Sequence, residues 1–267
     1  MNLRLLAQTI RWNRTRLVAL FVAGVGWGVL IPVIYSNFSD AMRELVNSGT
    51  IPRQLMNFGS GNLFTVPGAI TLGFQHPLAI AFMGIFAIGT SAGAIAGERE
   101  RGTLEVLLAR PLSRRTLYLT VSIAVAILLA IELASLLIGL WAGVLATGIS
   151  DQVDLSAMWL VFVNAMLLWG AFAAFSLAAS VSFDRHAPAL GLSLAFLLVN
   201  YFLEILGSLW TDAAWSQEYS LFHHFQPTEL LTGKPDPIDF VLLTAVVAVL
   251  VAYALIAFPR RDLAAPD

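Results

Sequence analysis

Glu132, Asn164, Asn200 and Glu204 are the side chains of this sequence best placed to do chemistry, because each lies within a long apolar run. Glu132 falls near the middle of its run, and Asn200 and Glu204 are four residues apart, on one face of a helix. A carboxylate at the centre of a bilayer costs a few kcal/mol to insert, and such groups face a bundle interior or a water path. Two readings follow. The four could line a translocation route or touch a cargo. They could equally be interhelical hydrogen-bonding groups, the glutamates protonated.

Other chemistries find little support. There is no G-x-x-x-x-G-K-[ST] cradle for a nucleotide, no HExxH and no GxSxG. The chain has no cysteine, which removes disulfides and thiolate ligands. His223, His224 and Glu229 suggest a metal at first sight. Adjacent histidines diverge on most backbones and no third ligand stands at useful spacing, so no metal site is expected.

The densest charge lies elsewhere, in "GERERGTLEVLLARPLSRR", Gly97–Arg115, with five arginines and three glutamates. Only 12% of the chain is charged and 58% is hydrophobic. A soluble domain is about 25% charged and about 45–50% apolar. The class is therefore a polytopic, all-α membrane protein.

Six apolar segments are long enough to span: Leu17–Tyr35, Leu78–Ala96, Val121–Gly143, Met158–Ser180, Leu190–Trp210 and Phe240–Phe258. Residues 17–258 then form one transmembrane domain, followed by a short tail, 259–267. With both termini cytoplasmic, 12 of the 15 basic residues lie inside, leaving Arg43, Arg53 and Lys234 outside. The positive-inside rule thus predicts an N-in, C-in topology. The first outside loop runs from about Ser36 to Pro77. A short acidic turn holds Asp151 and Asp154, and a third loop covers Thr211–Asp239. Residues 1–16 place Leu3, Leu6 and Ile10 at helical spacing, which suggests an amphipathic helix in the interface.

Within the loop 97–116, Thr103 is a plausible N-cap, and Glu105 stands in the first turn, where its charge suits the helix dipole. Leu104, Leu107 and Leu108 make one apolar face, Pro111 stops the helix, and Ser113 caps the next one. The element expected is a short amphipathic helix across the cytoplasmic mouth, between spans two and three. It is either a membrane-surface helix or a docking element. Gly89, Gly93 and Gly97 repeat every four residues, as do Gly139 and Gly143. This spacing lets helices approach closely within the chain.

"AGERERGTLEVLLARPLSRRTLYL" resembles the cytoplasmic loop of ABC-2 type transporter permeases: an acidic-basic cluster, Gly-Thr-Leu-Glu, a leucine pair, then Pro-x-Ser-Arg. "FTVPGAI" before span two and the final "FPRRDL" resemble the family as well. The resemblance implies that the loop is a coupling helix seated on a separate ATPase subunit. Glu98, Arg99, Glu100, Arg101, Gly102, Thr103, Glu105, Arg110 and Pro111 would form its contact region, with Leu104, Leu107 and Leu108 filling the partner's groove. It implies a non-enzymatic subunit without a cofactor of its own, Mg-ATP being held by the partner. It also implies a second permease copy or paralogue, a place in a prokaryotic cytoplasmic (inner) membrane, and no nucleic-acid partner. Export is the expected direction, and the scarcity of polar groups in the spans suggests a hydrophobic or amphipathic cargo. The alternatives are a carrier driven by an ion gradient through Glu132 and Glu204, or a membrane scaffold.

Overall fold

A computed structural model describes residues 1–50, 64–109 and 112–261. Among these residues every regular element is helical. The chain opens with α1 (Leu3–Trp12), capped by Asn2, whose side chain accepts from Leu5 N–H. Asn2 N–H donates to Thr120 Oγ1 at 3.0 Å, which fixes α1 to the third long helix. The inward side of α1 carries Leu5, Leu6 and Ile10, while Leu3 and Trp12 are exposed.

Helix α2 (Arg14–Asn47) contains 34 residues, or about 51 Å at 1.5 Å per residue, against an apolar bilayer thickness of about 30 Å. It continues well past Tyr35, so residues 36–47 belong to a helix and not to an outside loop as expected. A second departure lies before span two, where a helix, α3 (Val66–Gln75), stands in the expected outside loop and bends by 48° into the segment Pro77–Gly93. Pro77 causes the bend. It has no N–H, and it drives His76 to an extended backbone, φ −65° and ψ 140°. Beyond it come α4 (Pro77–Gly84), a π-helical turn (Ile85–Thr90) and α5 (Ser91–Gly93). Two short helices follow, α6 (Ala96–Glu100) and α7 (Thr103–Leu108).

The remaining long helices are α8 (Arg114–Thr147), α9 (Met158–Ser182) and α10 (His186–Leu209), then, after the five-residue α11 (Pro227–Leu231), α12 (Pro237–Arg260). Ser113 caps α8 by accepting from Thr116 N–H. Among the described residues five helices are long and apolar enough to cross a membrane, and six spans result if the bent pair counts as one. In the acidic turn before α9, the Ser156 hydroxyl and N–H both donate to Asp154, which holds that exposed carboxyl below its ordinary range.

α2 and α8 pack almost backbone to backbone. A methyl group at Gly139 would stand 2.2 Å from the Val25 carbonyl oxygen, and one at Gly28 2.3 Å from that of Leu136. Gly143 likewise abuts Val29 and Pro32. The glycine pair of span three is thus an intrachain packing seam. The other stripe is not one: nothing lies within 4 Å of a methyl at Gly89, and Gly93 and Gly97 meet only the side chains of His186 and Arg101. The π-helical turn and the break at Ala94–Ile95 take the three out of register with a helix face.

α9 forms the centre of the bundle, packed by α8, α10 and α12. Its serines join it to span two. Ser176 Oγ donates to Ile88 O at 3.0 Å, a carbonyl of the π-helical turn. Ser180 Oγ donates to Ala92 O at 2.8 Å and accepts from the N–H groups of Ile95 and Ala96. Those are backbone groups freed where the span breaks, and in an apolar surrounding they need such partners.

Candidate functional site

Both ends of the bundle carry polar networks, and the candidate site residues divide between them. At the end that holds α6 and α7, Arg99 pairs with Asp184 at 2.7 Å, and Arg261 binds the same carboxylate. Arg261 also donates to Val181 O at 2.5 Å. Arg114 donates to the carbonyls of Phe258, Pro259 and Arg261, so a cation sits on the C-terminus of α12, where the helix dipole favours one. Glu100 Oε2 accepts from His186 N–H at 2.9 Å and thereby caps the N-terminus of α10. The loop after span two, the turn between α9 and α10, and the end of α12 are therefore fastened together.

α7 is held by its own contacts. Gly102 has φ 69°, a left-handed conformation that favours glycine, and this turns the chain from α6 into α7. Thr103 is not the N-cap. Its backbone is the first residue of the helix, and its hydroxyl donates backward to the Glu98 carbonyl and carboxylate. Arg101 pairs with Glu98 at 2.5 Å.

The leucine face also departs from expectation. Leu104 is 2% exposed and belongs to the chain's own core, and Leu108 packs against that core, with Leu107 half-buried. Leu104 is thus not available to fill a partner's groove in this conformation. The outward side of the segment presents Arg101, Gly102, Thr103, Glu105 and Val106, the last 65% exposed. Arg110 and Pro111 lie outside the described residues.

The opposite end is covered by residues 210–235, folded as two 3-10 helices (Thr211–Tyr219 and Leu221–His224) and α11. Three of the four intramembrane polar residues serve this cap. Asn164 Nδ2 donates to His224 O at 3.0 Å. Asn200 Oδ1 accepts from Leu221 N–H at 2.8 Å, and its carbonyl accepts from Ser220 Oγ. Glu204 Oε1 accepts from Gln217 Nε2 at 3.0 Å. His224 Nδ1 lies 2.8 Å from Asp239 Oδ1, and its ring meets that of His223 edge to face, with centroids 5.5 Å apart. Beneath, Trp169, Phe172, Phe196, Tyr201 and Phe222 form a continuous aromatic cluster.

Glu132 stands apart from both networks. It is fully buried, and neither carboxylate oxygen has a hydrogen-bond partner among the described residues. One turn before it, Leu128 packs with Phe86 of the π-helical turn and Leu20 of α2. The sequence thus singled out a true anomaly in Glu132. It missed Ser176, Ser180, Asp184, Arg114 and Arg261 as network members. A signal for the serines was present, since their spacing of four puts both on one face of an apolar helix.

A bundle of long apolar helices, with broken backbone satisfied inside protein and a tied charged end, defines a multi-pass helical membrane protein. The model of the ABC-2 family transporter proteins matches residues 8–263, and the chain belongs to that family. It is accordingly a membrane permease component of an ABC transporter, a type of chain that works with an ABC ATPase. No curated protein matches the sequence.

Proposed function

We propose that this chain is the transmembrane subunit of an exporter and that α6 and α7 dock a separate ATPase from the cytoplasmic side of a prokaryotic inner membrane. The arginine-rich end faces the cytoplasm, with both termini on that side. The observation that carries this reading is the double character of the α6–α7 segment. Its outer side is exposed at Arg101, Glu105 and Val106, while Arg99, Glu100 and the backbone at Ile95–Ala96 fasten it to α9 and α10. A push on α7 therefore reaches span two directly and spans four and five through these bonds. Rigid-body tilting of packed helices is a familiar route to alternating states.

The cargo is hydrophobic or amphipathic. An open groove of about 410 Å³ runs between α4, the π-helical turn and α10, lined by Ile80, Ile85, Ile88, Leu194, Leu197 and Tyr201 among others. Its walls are almost wholly apolar, as suits a greasy molecule entering from the side. Two permease chains and two ATPase subunits complete the transporter.

The test is co-purification with the ABC ATPase that serves this chain. Arg101→Glu with Val106→Asp should cut recovery of the ATPase by tenfold or more, since a few exposed anchors dominate such interfaces. Val106 is exposed and Arg101 gives up only its surface pair with Glu98, so the fold should survive. Undiminished recovery would remove α7 as the docking element. A second reading, a carrier driven by an ion gradient, has the unpartnered carboxyl of Glu132 in its favour. It requires transport that persists without ATP and collapses with an uncoupler.

A further inference from the structure

A second groove, of about 260 Å³, lies between α8 and α12 with α9 as its floor. Gly170, Ala173 and Ala174 make the middle of its floor shallow, between the longer side chains of Met166 and Leu177. Leu119, Ile123 and Ala126 form one wall, and Val247 and Val251 the other. From Leu119 to Leu129 the α8 wall runs ten residues, about 15 Å along the helix and half of a hydrocarbon core of about 30 Å. The groove is thus open and about as long as one leaflet is thick.

The same stripe of α8 continues to Arg115, one turn before Leu119 at the charged end. Arg115 Nε donates to Leu255 O of α12 at 3.4 Å, so the side chain lies across the mouth from one wall to the other. Leu255 is itself one turn beyond Val251. Arg99, Arg101 and Arg261 each have a carboxylate partner, whereas Arg115 has none among the described residues. A guanidinium carries five donors in a fork that matches a phosphate, and this one lies one turn beyond the apolar wall, toward the charged end.

We infer that this groove is a binding site for an anionic phospholipid of the leaflet at the arginine-rich end, with one acyl chain between α8 and α12 and the headgroup phosphate on Arg115. Charge complementarity decides for a lipid over a second protein helix. A helix of another copy would leave the guanidinium facing apolar residues at the mouth, while a lipid places its phosphate there. The lipid would fasten α12, which otherwise meets α8 sparsely, to the helix that begins at the end of the α6–α7 segment.

The site can be tested on the full chain purified in mild detergent, by native mass spectrometry during titration with phosphatidylglycerol or phosphatidylcholine of matched acyl chains. The wild type should retain phosphatidylglycerol about fivefold more tightly, the effect of one basic residue at an anionic surface. Arg115→Gln should abolish that preference while leaving binding of phosphatidylcholine in place. Ala126→Phe, at an exposed position on the wall, should fill the groove and reduce retention of both. A preference that survives Arg115→Gln overturns the headgroup assignment. Unchanged lipid retention in Ala126→Phe, or loss of a dimer in its place, overturns the groove as a lipid site. None of these readings depends on the ATPase, so failure of the docking proposal would leave them standing.

Discussion

The carboxylate of Glu100 accepts a hydrogen bond from the backbone N–H of His186 at 2.9 Å, across 86 positions of sequence. One residue of the charged loop thereby caps a helix in another part of the bundle. Beside it, Arg99 reaches Asp184 in the turn that leads to that same helix. The loop is thus less a free arm between spans two and three than a junction of four spans.

Under the docking proposal, that junction makes Asp184 a mechanical part. Its carboxylate is half exposed, so each of its ion pairs contributes about 0–1 kcal/mol in water. Asp184→Asn should lower thermal stability only slightly, by an amount that shrinks at high salt. Stimulation of ATP hydrolysis by the permease should fall severalfold in the same variant. Equal stimulation in wild type and Asp184→Asn would show that the bridge carries no coupling.

The seam between α2 and α8 makes a stability prediction. Gly139→Leu drives a side chain into the Val25 backbone and should cost about 1–3 kcal/mol or more, read as a lowered melting temperature in detergent. Gly26→Ala, where nothing lies within 4 Å, should be neutral or slightly stabilising. Similar melting temperatures for the two variants would contradict the close approach.

Asn200 makes a local one. Asn200→Leu leaves the buried Leu221 N–H unpaired, at about 1–3 kcal/mol. Hydrogen exchange in residues 211–235 should speed up while that of α8 stays slow. Uniform exchange changes, or none, would contradict the anchoring role given to Asn200.

The orientation is open to labelling, because the chain has no cysteine of its own. Trp215→Cys, in the exposed part of the cap, should react with an impermeant maleimide on intact cells. Val106→Cys should react only after the membrane is opened. The reverse pattern would invert the topology.

Much of the helical bundle was legible in sequence because hydropathy and charge act locally. Four of the six long apolar runs lie wholly within one helix, a fifth loses only Trp210, and the described arginines of residues 97–116 gather at one end. Ser113 announced its cap, and Gly139 and Gly143 their seam. What escaped depends on tertiary placement. Nothing local says that Leu104 and Leu108 of α7 turn toward the chain's own core, because an amphipathic helix reads alike whether a partner or its own protein covers the apolar side. Asn164 and Asn200 left a pathway role and a hydrogen-bonding role both open in sequence, because their partners are backbone groups of a cap distant in sequence. The helical extension of α2 was obscured by the polar residues Ser36, Asn37, Ser39 and Asp40, which suit an exposed helix end as well as a loop.

The docking claim is tested most directly by a photoactivatable cross-linker on Val106→Cys in the full chain co-expressed with its ATPase. Irradiation should join the two polypeptides, and the same reagent on Trp215→Cys should not. A cross-link absent at 106 under conditions where the ATPase still co-purifies would contradict the account, because the partner would then be held by some other surface.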